Sequence, residues 1–367
     1  MIFTSDDIDD LARGAALLGA GGGGDPYIGG LLLRQAMRDR PEIQVIGIDE
    51  VPDDALVVPT AMAGAPTVLL EKLPNGGEAE LALARLEKTL GKTAYAVMPA
   101  EIGGLNALIP LVLAARRGIP VVDADGMGRA FPELQMTTFH VHGQPISPLA
   151  IADEHGNTVL LHTRDDYMAE RLARSTIVAM GATCQLCGIP MTGIELRRCA
   201  VPGTLTAAIG IGRTIRQARE AKQDIFRALQ AFLATTDYYK SSVVLFDGKV
   251  VDLDRRTTGG FARGSVQLDP IEPFTGRMEV QFQNEHLVAR LDGKTLAIVP
   301  DIIAILDRET AEPITTDGLR YGQRVKVMAI SAAPIMRSAA ALAVFGPRAF
   351  AIDEDFVPLQ QLNPAGR

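Results

Sequence analysis

Tryptophan is absent from this 367-residue chain, and aromatic residues together make up 5% of it. A core without large rings has to be built from Ala, Val, Leu and Ile, and apolar residues supply 47% of the sequence. Cysteine is scarce as well, and three thiols in a long chain exclude a disulfide framework. With five histidines and no HExxH, a His-rich amidohydrolase metal centre is excluded. Basic charge is short: 36 Lys and Arg face 44 Asp and Glu, for a net charge of −8. Nucleic-acid binding relies on clustered cations, so it is not expected here. No apolar run approaches the roughly 20 residues of a membrane span. The opening segment MIFTSDDIDD is acidic where a secretory signal has a basic start and an apolar run. The expectation is a cytoplasmic protein with no nucleic-acid or membrane partner, acting on a small molecule.

Glycine, by contrast, is concentrated in GAGGGGDPYIGG, residues 19–30. Thr4 and Asp7 have capping-box spacing, and Ile8, Leu11, Ala15 and Leu18 recur at helical intervals, which predicts a helix over 5–18. The glycines then end that helix. A dinucleotide fingerprint needs a strand before its glycines, and a phosphate-binding P-loop needs Gly-Lys-Ser/Thr after them; this run ends in Asp25 and Pro26. A second helix is predicted over 28–38. Gly22, Gly23, Gly24 and Asp25 are therefore read as the wall of a small-molecule site, where bare backbone N–H groups can receive negative charge. A flexible linker is the plainer alternative.

Apolar runs then alternate with helical patterns. Strands are predicted over 43–48, 55–64, 93–99 and 119–125, with helices over 76–90 and 106–117. This is an α/β arrangement with a mainly parallel sheet flanked by helices. In such sheets ligands sit outside the carboxyl ends of the strands. PAEIGGLN places Glu101 and Asn106 there, and DADGMGRAFPE places Asp123, Asp125, Arg129 and Glu133 there. Asp123 and Asp125 share a face if the segment is extended. Like charges in a shielded cleft raise one pKa, so that one carboxyl serves as acid and another as base. The same acids could instead hold a divalent cation. Ordinary turn chemistry is the structural alternative.

The second half predicts a strand over 157–163 and a helix from Asp165 or Asp166 to about Met180. Further helices are predicted over 213–220 and 224–233. From Ser242 short strands follow, with Asp-Gly turns in LFDGKV and RLDGKT, as in a barrel or sandwich. Two units result: an α/β domain over 1–166 carrying the Gly-rich and acidic motifs, and a C-terminal part over 167–367 with a β-barrel-like domain over about 240–334. TTGGFARG, residues 257–264, is read either as a cover over the first domain's cleft, with Arg263 supplying a cation to an acidic substrate, or as a β-bulge with a packing glycine pair. CQLC (184–187) is read as buried thiols. His140 and His142 would share one face of a strand, a weak metal pair.

GAGGGGDPYIGG, PAEIGGLNALIP, IPVVDADGMGRAFPELQMTTF, TTGGFARG, FQNEHLVA and ITTDGLRYGQRV together resemble the S-methyl thiohydantoin desulfurase-like family. Its members are often encoded beside hydantoinase/oxoprolinase-type enzymes. The resemblance implies an N-terminal α/β domain and a β-barrel-like C-terminal domain. It also implies hydrolytic removal of methylthio from a five-membered thiohydantoin ring, giving a hydantoin. Read on the residues, Glu101 or the Asp123/Asp125 pair activates water. A second carboxyl, Glu133 among the candidates, donates a proton, and Gly22–Gly24 stabilise developing charge. Arg129 and Arg263 hold a substrate carboxylate. The alternative is a non-catalytic partner of a hydantoinase/oxoprolinase-like enzyme. A homodimer is the default assembly.

Overall fold

The computed structural model describes residues 1–64, 68, 72, 74–258 and 261–364. Four strands, Glu42–Ile46, Val121–Val122, Ala96–Pro99 and Leu56–Gly64, lie side by side in that order and run parallel. The last three are apolar runs buried on both faces, as strands covered by helices on each side must be. The rest of this first sheet is antiparallel. Ile2–Thr4 extends one edge. Beyond Leu56–Gly64 come Thr183–Cys187, Leu149–Ala152 and Thr158–Leu161. The sheet is thus mixed, with its parallel stretch confined to the strands joined by crossover helices. Strands Thr183–Cys187 and Met191–Thr192 belong to it although they follow the helix Asp166–Ala179.

Thr4 caps the first turn as its spacing predicts: its backbone N–H and hydroxyl both donate to Asp7 Oδ2, at 3.0 and 3.2 Å. The helix Ile8–Leu18 then packs against Thr204–Glu220 at backbone contact. A Cβ on Gly14 would lie 1.8 Å from the carbonyl oxygen of Ala208, and one on Gly212 would lie 1.8 Å from that of Asp10. The glycines that make this crossing possible also obscured the start of the second helix, which begins nine residues before the sequence pattern suggests (204 against 213). Gly14→Ala should lower stability by about 3 kcal/mol, because neither backbone can retreat without unpacking the core. A lower urea midpoint at unchanged slope is the expected reading.

The second sheet is antiparallel and seven-stranded among the described residues, curled into a half-barrel. Its order is Lys294–Ile298, Glu285–Leu291, Met278–Gln283, Phe261–Pro270, Ser242–Thr258, Arg324–Ile330 and Ile302–Asp307. Asp292-Gly293 turns a hairpin, with φ of 47° and 81°, as the dipeptide predicts. Asp247-Gly248 does not. It lies inside the long strand Ser242–Thr258, where buried Asp247 accepts from Arg308 Nε at 2.8 Å. An ion-paired inward acid, not a turn, explains that aspartate.

Two weaker expectations also change. His140 lies in a short helix, Thr138–Val141, not a strand; its Nδ1 meets Asp166 Oδ2 at 2.6 Å while His142 is exposed. Cys184 and Cys187 are buried thiols whose sulfurs contact Met180 Sδ and the Ala79 carbonyl respectively. Among the described residues no helix is long and apolar enough to cross a membrane.

Candidate active site

Where the strands Leu56–Gly64 and Ala96–Pro99 end, the half-barrel closes over them and leaves a cavity of about 400 Å³. This is the edge at which an α/β sheet binds its ligands. The Gly-rich loop forms one wall. Ala20, Gly21, Gly23 and Gly24 all have positive φ, from 50° to 90°. At Gly21 a Cβ would strike the His286 ring at 2.6 Å, and at Gly23 it would strike the Gly103 carbonyl oxygen at 2.5 Å. The loop is stitched to the half-barrel. His286 N–H donates to Ala20 O at 2.7 Å, and the Thr316 N–H and hydroxyl both donate to Gly21 O, at 2.9 and 3.1 Å. Gly22 N–H is spent on Gly19 O at 2.9 Å, whereas those of Gly23 and Gly24 have no partner among the described residues. Two of the three expected backbone donors are therefore left for a ligand.

Glu101 sits at the centre of the polar wall and is 7% exposed. Asn106 Nδ2 donates to its Oε1 at 2.5 Å and Phe131 N–H to its Oε2 at 3.2 Å. The Asn106 amide is itself oriented by Met62 N–H, which donates to its Oδ1 at 2.7 Å. Burial lifts the Glu101 pKa to about 7, against the opposing pull of Asn106, Phe131 and Arg129. Facing it from the half-barrel is Glu285, 2% exposed and pressed against Gly22, where a Cβ would lie 2.0 Å from Oε1. Its Oε2 has no hydrogen-bond partner among the described residues. Burial and the neighbouring Glu101 charge raise its pKa well above the usual carboxylate range, more than Arg129 and Arg174 lower it. Two carboxyls of different proton affinity thus share one cavity, the arrangement that separates an acid from a base.

Glu101 favours the folded state least when ionised. Its folded pKa lies above the ordinary 4.5, so its contribution to stability is complete below about pH 4.5 and is lost as pH rises through about 7. Relative to Glu101→Gln, the wild type should lose thermal stability across that interval; parallel melting curves at successive pH values check this.

Glu133, Asp25 and Asn106 also line the cavity. Glu133 Oε2 accepts from Gln135 Nε2, and Asp25 Oδ1 caps the helix Pro26–Ala36 through Tyr27 N–H at 2.9 Å. Other candidates lie off the wall. Asp125 is fully buried behind it, accepting from the N–H groups of Ile102, Met127 and Gly128 at 2.9, 3.1 and 2.9 Å; it shapes the loop that carries Phe131. Asp123 starts the helix Thr204–Glu220, accepting from Leu205 and Thr206 N–H at 2.8 and 3.1 Å. Each aspartate is committed to a separate backbone segment, so the two do not form an acid–base pair. Arg129 is also fully buried: Nε donates to Ala130 O at 3.0 Å, Nη1 to Asp301 O at 3.0 Å and Nη2 to His286 O at 3.2 Å. The TTGGFARG segment brings Thr257 and Ala262 to the cavity, while Arg263 is exposed outside it; Gly259 and Gly260 lie outside the described residues. The cations on the wall are Arg174 and Arg320 instead.

Sequence reasoning passed over Glu285 and Arg174. Glu285 left a trace in FQNEHLVA, where an acid and a histidine open a barrel strand whose next three residues are apolar. Arg174 is four residues from Glu170 and bonded to it, which in sequence looks like an ordinary surface helix pair. Among the described residues no three His, Cys, Asp or Glu side chains converge as a metal would require.

The fold and site define a class: a two-part protein in which a half-barrel seals a carboxyl-lined cavity onto the strand ends of a mixed α/β sheet. The chain belongs to the S-Me-THD-like family, residues 6–163 matching that family's N-terminal domain and 164–359 its C-terminal domain. It is also similar to the X-ray crystal structure of a protein from Chromobacterium violaceum determined by a structural genomics consortium. The two are 26% identical, the likeness covers 98% of this chain and 100% of that one, and the TM-score is 0.82. No curated protein shows significant similarity to this chain.

Proposed function

We propose that the cavity is the active site of a hydrolase that removes methylthio from an S-methyl thiohydantoin, giving a hydantoin and methanethiol. The observation that carries this reading is the buried Glu101–Glu285 pair, split in proton affinity, on the wall of a cavity large enough for a substituted five-membered ring. Water attacks the ring carbon bearing sulfur and gives a proton to ionised Glu101. Glu285, held protonated, gives its proton to the ring nitrogen of the C=N bond. As the tetrahedral species collapses, its hydroxyl proton returns to Glu285, the C–S bond breaks, and Glu101 protonates the departing thiolate. Both carboxyls are restored, and one water is consumed for each methanethiol released. The N–H groups of Gly23 and Gly24 hold the ring carbonyl oxygen.

Activity should rise with pH through about 7 as Glu101 ionises and fall again as Glu285 loses its proton. A bell-shaped kcat/KM profile, flattened on its acid limb by Glu101→Gln, is the expected measurement. The direct test is thiol release with and without prior chelation. Turnover indifferent to chelator supports two-carboxyl chemistry. Turnover lost on chelation and restored by one divalent metal contradicts it. No turnover alone, with co-purification of a hydantoinase/oxoprolinase-like enzyme, shifts the reading to a partner subunit.

A further inference from the structure

We infer that Asn284 is the positioning residue for Glu285: its backbone turn aims that carboxyl into the cavity, and Thr316 locks the turn to the glycine loop. The inference rests on the proton-donating role proposed for Glu285. Its starting point is a contrast between the two acids. Glu101 is clamped by Asn106 Nδ2 and Phe131 N–H. Glu285 Oε2 has no hydrogen-bond partner among the described residues. Packing against Gly22 and the backbone that carries it therefore set the direction of Glu285.

That backbone reverses at Asn284. Gln283 and Glu285 are register partners on the two strands that meet there, so a single residue makes the turn. Its φ is 57°, in the left-handed region that Asn and Gly enter readily and that a β-carbon disfavours in most other residues. Asn284 N–H donates to Ala262 O at 2.7 Å, and Ala262 N–H donates back to Asn284 Oδ1 at 2.8 Å. The side chain thus completes a pair of bonds to the strand Phe261–Pro270. The Thr316 hydroxyl lies 2.9 Å from Asn284 O and 3.1 Å from Gly21 O, a three-centre bond that joins the turn to the glycine loop. Arg255 Nη1 holds Thr316 in turn, donating to its carbonyl at 2.7 Å. On the other flank of Glu285, His286 N–H donates to Ala20 O at 2.7 Å. The peptides before and after the acid are tied to the same loop. The charged groups that act on the carboxyl, Glu101, Arg129 and Arg174, sit on other segments, so a relaxed turn would change its separation from all three.

The test measures thiol release beside the infrared carboxyl band of Glu285, assigned by its loss in Glu285→Gln. Asn284→Ala makes the left-handed turn costly and removes Oδ1. It should lower kcat by about 10–100-fold with KM within about twofold, the effect of displacing a reacting group by about 1 Å. Its Glu285 band should titrate at lower pH than in the wild type, as the carboxyl gains access to water. Asn284→Gly keeps the turn and should recover most of kcat and the wild-type titration. Thr316→Val leaves the turn residue in place and should lower kcat about tenfold, a loss recovered by Thr316→Ser, which keeps the hydroxyl. This second pair decides the same point should Asn284→Ala not fold. Unchanged kcat and titration in Asn284→Ala would overturn the inference, as would an equal loss in Asn284→Gly. If the wild type itself releases no thiol, the proposed reaction falls, and the Glu285 titrations of the Ala and Gly variants decide the positioning role alone.

Discussion

Replacing Glu285 with glutamine should lower kcat for thiol release by on the order of 10²–10⁴-fold, the contribution of a positioned proton donor. The amide keeps the shape of a protonated carboxyl, so the residue still fits between Gly22 and the half-barrel. It cannot surrender a proton to the ring nitrogen, and so the loss should fall on kcat and leave KM nearly unchanged. Stability should not suffer. An acid whose folded pKa is raised stabilises fully below its unfolded pKa and contributes less as pH climbs. At neutral pH the glutamine variant should therefore melt at the same temperature as the wild type or higher. Inactivity combined with undiminished stability separates a chemical role from a structural one. Full turnover of this variant would remove Glu285 from the reaction.

Arg129→Met should do the reverse: destabilise the protein by about 3–5 kcal/mol, the cost of breaking a buried charged cluster by removing one member. The arginine spans three segments, donating to Ala130, Asp301 and His286 carbonyls, and its charge opposes the raised pKa values of both Glu101 and Glu285. Methionine fills much of the volume but leaves those carbonyls unpaired in a site with no water access. Equilibrium urea unfolding reads the loss directly. If Arg129 instead clamped a substrate carboxylate, the variant would keep its stability and show only a raised KM.

That contrast shows how far the site was legible in the sequence. Strand ends mark where ligands bind in α/β sheets, and this rule pointed to Glu101, Asn106 and Glu133, which line the cavity; the glycine loop was legible separately, from its bare backbone after a helix. The rule could not separate acids facing the ligand from acids facing their own backbone. Asp125 and Asp123 stand in the same stretch as Glu133, yet one ties down a loop and the other starts a helix. Local sequence does not record which N–H groups a carboxylate will find. Glu285 was hidden for another reason: it is 184 positions from Glu101, and only the closure of the half-barrel onto the first sheet brings the two together. The fold was more readable where the signals were local, as in the Thr4–Asp7 cap and the Asp292-Gly293 hairpin. It was less readable where glycines served helix contact, as at the start of Thr204–Glu220.

The most direct measurement is turnover of an S-methyl thiohydantoin in oxygen-18 water, following methanethiol and the label together, for the wild type and for Glu285→Gln. The account expects one methanethiol for each hydantoin formed, one labelled oxygen at the ring carbon that lost sulfur, and both products formed on the order of 10²–10⁴-fold more slowly with the variant. Methanethiol released without label in the ring, or equal labelled turnover from wild type and variant, would contradict hydrolysis by the Glu101–Glu285 pair.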